Sequence, residues 1–449
     1  DDPSPAADRI GIGGTGLSDS RDPAQAAGSV VDTSDPNDPG FEEYEELTPE
    51  LVEDEAIRGD FVIKWAVVLL AFLLASTKVG ESLSLVTIKT GQYLASHGFL
   101  PPRTDVFSST ATDRAWPNLS WGFDLIVGAV YSLGGFTGVS VFKALLVMVT
   151  FAIVTQIVKP SLPTWWSSIC TGLALLACHL RFAPHPTLIT FLGLALLFLI
   201  LTRYRQRLAD PARQGDPQLW LLIPLFVVWC NLDSRAYLGV ACLLLYAAGE
   251  SLAAMANSAN VLPSAIRRHL WTVAIGCVAA SFVNPFPLQS GWAPGLVYGT
   301  EYPAIREYVT QAYLGEPREP AGSEKTYFPL PVGGLWLSGA TVDFAGIAAV
   351  VVILAAIVLV LFNWKRMVWG ETLALLGMLG FAFLCLRELP AAALVAAIVA
   401  GLNGQVWYHK SFIGPKPMCS FDTGLYEGGN HDYYECYGWN DIRWARRLR

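Results

Sequence analysis

The chain has 449 residues, of which 53% are hydrophobic and only 15% are charged, and its formal net charge is −8. Its mean hydropathy is positive, which a water-soluble protein of this length rarely shows. No Gly-rich phosphate loop, nucleotide-binding motif or haem motif is present, and we expect no nucleic-acid partner. The composition therefore predicts an all-α polytopic membrane protein.

The first 60 residues differ from the rest of the chain. Residues 1–60 hold 17 Asp or Glu against 3 Arg, a net charge of −14, and they show almost no apolar periodicity. A segment of this kind cannot bury enough apolar surface to offset its ordering entropy. We predict a low-complexity acidic tail, which either remains solvated or binds a protein partner through a basic surface.

Apolar runs follow in chain order. A hydrocarbon core about 30 Å thick needs roughly 17–25 apolar residues per helix, because every backbone polar group must be paired inside the helix. The sequence predicts about ten spans, several of them shorter than usual. They are residues 61–79, 139–158, 165–180, 186–202, 219–232, 236–249, 270–284, 344–362, 372–386 and 389–408.

Cationic residues predict the orientation of these spans. Arg and Lys cluster after the fourth, sixth and eighth predicted spans. Positive loops stay in the cytoplasm, and two spans separate each of these loops from the next. The three loops therefore share the cytoplasmic side, the N-terminus is cytoplasmic, and residues 285–341 form an external loop.

Residues 118–135 are apolar enough to be considered as a further span. They carry Asp124, with Trp121 and Tyr131 near their ends, which favours a helix lying in the membrane interface. Residues 80–138 then form a large first external loop with interfacial helices. The resulting organisation is a tail at 1–60, a membrane domain at 61–404 and an aromatic-rich C-terminal tail at 405–449.

Several short motifs follow one another along this domain. In the first external loop they are residues 89–93 (KTGQY), 97–101 (HGFLP), 104–110 (TDVFSST) and 116–135. Further on they are residues 181–186 (RFAPHP), 229–232 (WCNL) and 284–286 (NPF). Together, over roughly residues 60–405, they resemble the GT-C superfamily of membrane glycosyltransferases.

This resemblance implies a transferase that takes a sugar from a polyprenyl-phosphate donor and passes it to an acceptor at the external membrane face. The resemblance to bacterial members of the family predicts that the protein lies in the cytoplasmic (inner) membrane. An external carboxylate would act as general base or hold a divalent metal such as Mg²⁺ or Mn²⁺, and basic groups would meet the donor phosphate.

In the family that the chain resembles, the catalytic base is an Asp just after the first span. That Asp is absent from this chain. Glu81 lies within about a residue of its place and would substitute for it, since Glu and Asp have similar proton affinities. The alternative is that Glu81 caps the interfacial helix. Asp105 is the second catalytic candidate and the candidate metal ligand, although an Asp after Thr104 is also a common turn or cap residue.

Basic and polar residues complete the predicted site. Arg181 stands between two apolar runs at the external face, where an arginine is costly without an anionic partner, so we assign it and Arg103 to the donor phosphate. The alternative for Arg181 is snorkelling to water. The predicted cavity residues are His97, Asn231, Asp233 and Arg235. Asp233 and Arg235 either satisfy a tight turn or mark the floor of an external cavity.

Two hypotheses of different classes follow. One is an active glycosyltransferase using Glu81 or Asp105, with Arg181 on the phosphate. The other is a catalytically degenerate relative that serves as a scaffold or accessory subunit of a membrane complex. The missing Asp favours the second hypothesis, and the retention of the motifs at 104–110 and 116–121 favours the first.

The orientation is directly testable by labelling. A cysteine introduced as Ser323→Cys should react with a membrane-impermeant maleimide added to intact cells, and Gly215→Cys should react only after permeabilisation. Labelling is measured relative to the parent protein, which accounts for its 8 native cysteines. The reverse pattern would contradict the predicted orientation.

Overall fold

A computed structural model describes residues 49–79, 82–107, 116–159, 162–208, 217–256, 258, 260–287, 337–338, 341–342, 344–384 and 388–413. The chain divides into two units, Asp1–Glu53 and Asp54–Arg449. The described helices are α1 Pro49–Ala75, α2 Ser82–Ser96, α3 Trp121–Val154, α4 Trp165–Cys178, α5 Thr187–Arg207, α6 Leu222–Leu232, α7 Ala236–Met255, α8 Ser264–Ala280, α9 Phe344–Phe362, α10 Trp369–Leu384 and α11 Leu389–Tyr408. Short 3₁₀ turns occupy His179–Arg181, Pro217–Leu221 and Trp364–Arg366, and α11 continues into a π-helical turn at His409–Ile413. A two-residue antiparallel pair, Leu337–Ser338 with Thr341–Val342, is the described β structure.

Five of these helices are long and apolar enough to cross a membrane. They are Trp121–Val154, Thr187–Arg207, Ala236–Met255, Phe344–Phe362 and Leu389–Ser411. Helices pair their backbone groups internally, so long apolar helices are suited to the hydrocarbon core. The chain is therefore an all-helical integral membrane protein, as its composition predicts.

Helix α11 lies at the centre of the bundle. It is buried along nearly its whole length and packs against α4, α9 and α10. Alanine and glycine dominate its sequence, and small residues let helix backbones approach closely. A Cβ at Gly401 would lie 3.2 Å from Ser167 Cα on α4. The small residues of α11 thus allow it to pack closely with other helices at the centre of the bundle.

Helix α2 packs closely against the first half of α3. A Cβ added to Gly91 would lie 1.9 Å from the backbone oxygen of Asp124, and one on Gly128 would lie 2.6 Å from the Gly91 carbonyl carbon. Asp124 is buried and accepts a 2.7 Å hydrogen bond from Asn118 Nδ2. The acidic residue is therefore paired beneath α2.

Helix α3 contains a break at Gly135, whose φ of 58° and ψ of −152° are not helical. A positive φ is accessible to glycine because it lacks a Cβ. The sequence predicted an interfacial helix at 118–135 and a separate span at 139–158. In the structure both belong to α3, and the change in direction between them falls at Gly135.

Polar contacts fix α1 to the bundle. The Lys143 ammonium on α3 is 1% exposed, and it donates to the backbone oxygen and to the hydroxyl of Thr77, each at 2.9 Å. In the middle part of α1, Asp60 Oδ2 accepts from Thr164 N and Thr164 Oγ1. Helix α1 begins at Pro49, inside the segment expected to be tail.

The contact between α2 and α3 can be tested with two glycines. Gly91→Ala should lower stability by about 1–3 kcal/mol or more, because the new methyl group meets backbone atoms that cannot move aside easily. Gly134→Ala is the matched control, since nothing lies within 4 Å of its added Cβ. It should be neutral or slightly stabilising. Thermal unfolding in detergent measures both, and equal midpoints would contradict the packing.

Candidate functional site

The corner between α6 and α7 is shaped by Asp233. Its extended backbone (φ −148°, ψ 131°) ends α6, and its N–H donates to Trp229 O at 2.8 Å. Its Oδ1 accepts from the backbone N–H of Arg235 at 3.1 Å. An Asp side chain that bonds its own backbone two residues on stabilises such a turn. The turn alternative predicted for this pair is therefore present.

The second carboxylate oxygen of Asp233 binds α5. Asp233 Oδ2 accepts a 2.5 Å hydrogen bond from Thr190 Oγ1, and the Trp229 indole N–H lies 3.3 Å from the same hydroxyl. The Trp229 ring fits between two helices that have glycine at the contact. A Cβ at Gly193 or Gly239 would lie 2.6 or 2.4 Å from that ring. These contacts hold the corner in one position.

Arg235 forms a buried ion pair at the same corner. Its Nε lies 3.0 Å from Glu388 Oε1, and the two side chains are 5% and 1% exposed. Its Nη1 donates to Thr187 Oγ1, which also lies 2.9 Å from His185 Nδ1. The guanidinium thus connects the beginnings of α5, α7 and α11.

Asn231 connects this corner to the start of α3. Its Oδ1 accepts from the Trp121 indole N–H at 3.1 Å, and its Nδ2 donates to Val283 O at 2.7 Å. The side chain therefore ties the start of α3 to α6 and to the segment after α8. Three predicted cavity residues, Asn231, Asp233 and Arg235, are thus all engaged by protein partners.

Sequence reasoning missed the acidic partner of this network. Glu388 stands between the predicted spans 372–386 and 389–408 and is 1% exposed. Its signal was its position beside an apolar run, where a carboxylate needs a cationic partner. The threonines of α5 gave no comparable signal, since a Thr in a span commonly bonds its own helix.

The fourth predicted cavity residue is His97. It is part of a row of aromatic side chains in the stretch that the sequence predicts to be the first external loop. His97 stacks on Tyr93 with ring centroids 4.0 Å apart. Tyr93 meets Phe107 edge-on at 5.7 Å, and Phe107 meets Trp116 edge-on at 5.6 Å. We call Tyr93, His97, Phe107 and Trp116 the aromatic row. It joins the end of α2 to the segment before α3.

Asp105 and Arg103 lie beside this row. Asp105 Oδ1 accepts from Phe107 N at 2.9 Å, so its carboxylate is fixed in a turn next to an aromatic ring. The backbone oxygen of Arg103 accepts from Trp116 N at 2.9 Å, and the arginine side chain is exposed. Asp105, Arg103 and His97 thus lie in one segment, between the end of α2 and the start of α3. Glu81, the other catalytic candidate, lies outside the described residues.

The backbone of this segment has an unusual conformation at Phe99. Phe99 has a φ of 66° and follows Gly98, whose φ is 95°. A positive φ is rare for a bulky residue and persists where the surroundings enforce it. Phe99 N donates to Leu94 O at 2.9 Å, and the phenyl ring is 58% exposed. The chain reversal after α2 therefore places another apolar ring at the surface.

Arg181 lies in the 3₁₀ turn that follows α4. The arginine is exposed, whereas the next residue, Phe182, is buried and meets Phe151 edge-on at 6.0 Å. The turn is therefore anchored while the guanidinium faces outward. Among the described residues, no group of three or more His, Cys, Asp or Glu is placed to hold a metal.

A second ionic cluster, which the sequence did not predict, lies at the other end of α5 and α7. Arg205 Nη1 is 2.7 Å from Glu250 Oε1, and Arg205 Nη2 donates to Asn260 O at 2.7 Å. Asn260 Nδ2 donates to Arg366 O at 2.6 Å. These contacts place the three basic loops at one end of the bundle. Nearby, burial lowers the pKa of the Lys159 ammonium, and the Glu371 carboxylate opposes that shift.

The fold and these contacts define a helical integral membrane protein. Comparisons with family models, with curated proteins and with solved structures found no match. Function is therefore inferred from the chain itself.

The buried pair provides a stability test. Glu388→Gln should destabilise the protein by about 3–5 kcal/mol, because it leaves the Arg235 charge buried without its partner. The double variant Arg235→Met with Glu388→Gln removes that charge and should recover much of the loss. Thermal unfolding in detergent measures the parent, the two single variants Glu388→Gln and Arg235→Met, and the double variant, and strictly additive effects of the two substitutions would contradict the pairing.

Proposed function

We propose that this chain is a GT-C-like glycosyltransferase that moves a sugar from a polyprenyl-phosphate donor to an acceptor at the external membrane face. The observation that carries the proposal is a set of described residues, 93–107 and 116, which we call the external segment. It combines the aromatic row with an oriented carboxylate, Asp105, and an exposed guanidinium, Arg103. Binding sites of this kind pair apolar and aromatic surface with a few placed polar groups.

Sugar chemistry matches this combination. A pyranose ring has apolar C–H faces, which pack on aromatic rings, and peripheral hydroxyl groups, which bond to carboxylates and guanidinium groups. Phe107 is 49% exposed beside Asp105, so a ring and a carboxylate are presented together. Helix α2, which carries Tyr93, packs on α3 at Gly91 and Gly128. Trp121 at the start of α3 donates to Asn231 on α6. The beginning of the segment is thus connected to the helix bundle.

In the proposed reaction the acceptor hydroxyl oxygen attacks the anomeric carbon of the donor sugar. The bond from that carbon to the phosphate oxygen breaks, and polyprenyl phosphate leaves with the bonding electrons. Asp105 takes the proton of the hydroxyl as general base. Arg103 and Arg181 bind the phosphate, whose charge develops during departure. Glu81 is the alternative base, and Mg²⁺ or Mn²⁺ would add charge neutralisation beside Asp105.

The proposed topology has ten spans with a cytoplasmic N-terminus. Helices α1, α4, α6, α8 and α10 join the five long apolar helices, and only the second half of α3 crosses the membrane. Two contacts support this arrangement, from Arg205 to Asn260 and from Asn260 to Arg366, because they gather the basic loops at one end. By the positive-inside rule that end is cytoplasmic. A bacterial cytoplasmic membrane is the proposed location.

A second candidate function is a non-catalytic scaffold or accessory subunit of a membrane complex. It is favoured by the use of Asn231, Asp233 and Arg235 in contacts between helices, since these residues were expected to line a cavity. The acidic tail would then bind a basic protein partner. The two functions differ in whether Asp105 is required for turnover.

Asp105→Asn separates these functions. The amide oxygen still accepts from Phe107 N, so the turn is kept while the basic oxygen is lost. In proteoliposomes supplied with radiolabelled polyprenyl-phosphate sugars and a cell-envelope extract as acceptor, turnover should fall by about 100-fold or more. Arg181→Gln should weaken donor use by at least about 10-fold.

Arg203→Gln is the matched control for Arg181→Gln, because Arg203 is exposed on the last turns of α5, at the end where the basic loops meet. It should retain full turnover. Folded parent protein that releases no polyprenyl phosphate from any donor tested would contradict the transferase and favour the scaffold. Full activity of Asp105→Asn would remove Asp105 as the base and leave Glu81 to be tested by Glu81→Gln.

A further inference from the structure

A groove lies between the end of α7 and the start of α8, away from the external segment. It encloses about 490 Å³ and is lined by Ser251, Ala254, Met255, Ser264, Arg267, Arg268 and Trp271. We call it the α7–α8 groove. Helix α7 is one of the five apolar helices long enough to cross a membrane and ends at Met255, so the groove lies where a span reaches the membrane surface.

The polar part of the groove is cationic. Arg268 is exposed, and its guanidinium makes no hydrogen bond or ion pair with the residues that the structure describes. Arg267 Nη1 donates to Leu262 O at 2.6 Å, which fixes that side chain at the rim. Both guanidinium groups line the groove, and each offers a planar fork of donors that suits a phosphate.

The apolar part of the groove continues along the helices. Met255 is 80% exposed, and Ile275, one helical turn beyond Trp271, is 63% exposed. Leu252, on the preceding turn of α7, is 41% exposed. Trp271 donates its indole N–H to Ser251 Oγ at 3.0 Å, so an aromatic ring is fixed at the boundary between the polar and apolar parts. A ligand that fills both parts has an anionic head and a hydrocarbon tail.

We propose that the α7–α8 groove binds the phosphate headgroup of an anionic phospholipid, with an acyl chain against Met255 and Ile275. Basic pockets between membrane helices bind anionic lipid headgroups at the cytoplasmic surface, which is the side where the three basic loops are proposed to lie. The Arg205–Glu250 pair and the Asn260 contacts hold this end of α7 close to the other basic loops. The site is independent of glycosyl transfer.

The test is a lipid titration of the full chain in mild detergent, followed by native mass spectrometry. Phosphatidylglycerol should bind with a lower apparent Kd than phosphatidylcholine of the same chain length. Arg268→Gln should raise the Kd for phosphatidylglycerol by at least about 10-fold, the usual scale for a charged hydrogen bond. Arg268→Lys keeps the charge and should give an intermediate Kd.

Controls separate this site from general charge effects and from free phosphate. Arg203→Gln removes an exposed cation outside the groove and should leave the Kd unchanged. Inorganic phosphate at the same concentration as the lipid should not compete, because it lacks the acyl chain. Equal Kd values for the two lipids, equal effects of the two Arg→Gln variants, or displacement by inorganic phosphate would each overturn the proposal. Unchanged thermal midpoints show that the variants are folded.

Discussion

The buried ion pair between Arg235 and Glu388 is the interaction on which this end of the bundle depends. A guanidinium does not lose its charge, so inside a membrane protein it needs a fixed anionic partner. That partner stands immediately before α11, and Thr187 at the start of α5 also receives the guanidinium. The Arg235 side chain therefore connects α5, α7 and the central helix α11.

The two ends of the bundle carry different chemistry. At one end lie the Arg235 network and the Trp121–Asn231 contact. At the other end, the basic loops meet through Arg205, Asn260 and Arg366, and the α7–α8 groove opens beside them. The proposed sugar site and the proposed lipid site therefore have separate surroundings.

The sequence predicts the longest apolar helices well because hydrocarbon imposes length and composition on them. The run at 344–362, which holds no charged residue, matches α9 at both ends, and 389–408 matches α11. The functional residues were harder to assign. Arg235 and Asp233 are charged residues inside apolar runs, a pattern that fits a buried pair and a catalytic cavity equally. The contact with Glu388 shows that Arg235 belongs to a buried pair. Glu388 is distant from Arg235 in sequence. Only tertiary contacts reveal that partner, and Gly135 likewise joins segments that were predicted separately.

The most direct measurement is photocrosslinking with a polyprenyl-phosphate sugar analogue that carries a diazirine on the sugar, followed by mapping of the adducts by mass spectrometry. The proposed function predicts adducts on the aromatic row and on residues 103–107, reduced by an excess of unlabelled donor. Adducts confined to the α7–α8 groove, or labelling that excess donor does not reduce, would contradict a donor site on the external segment.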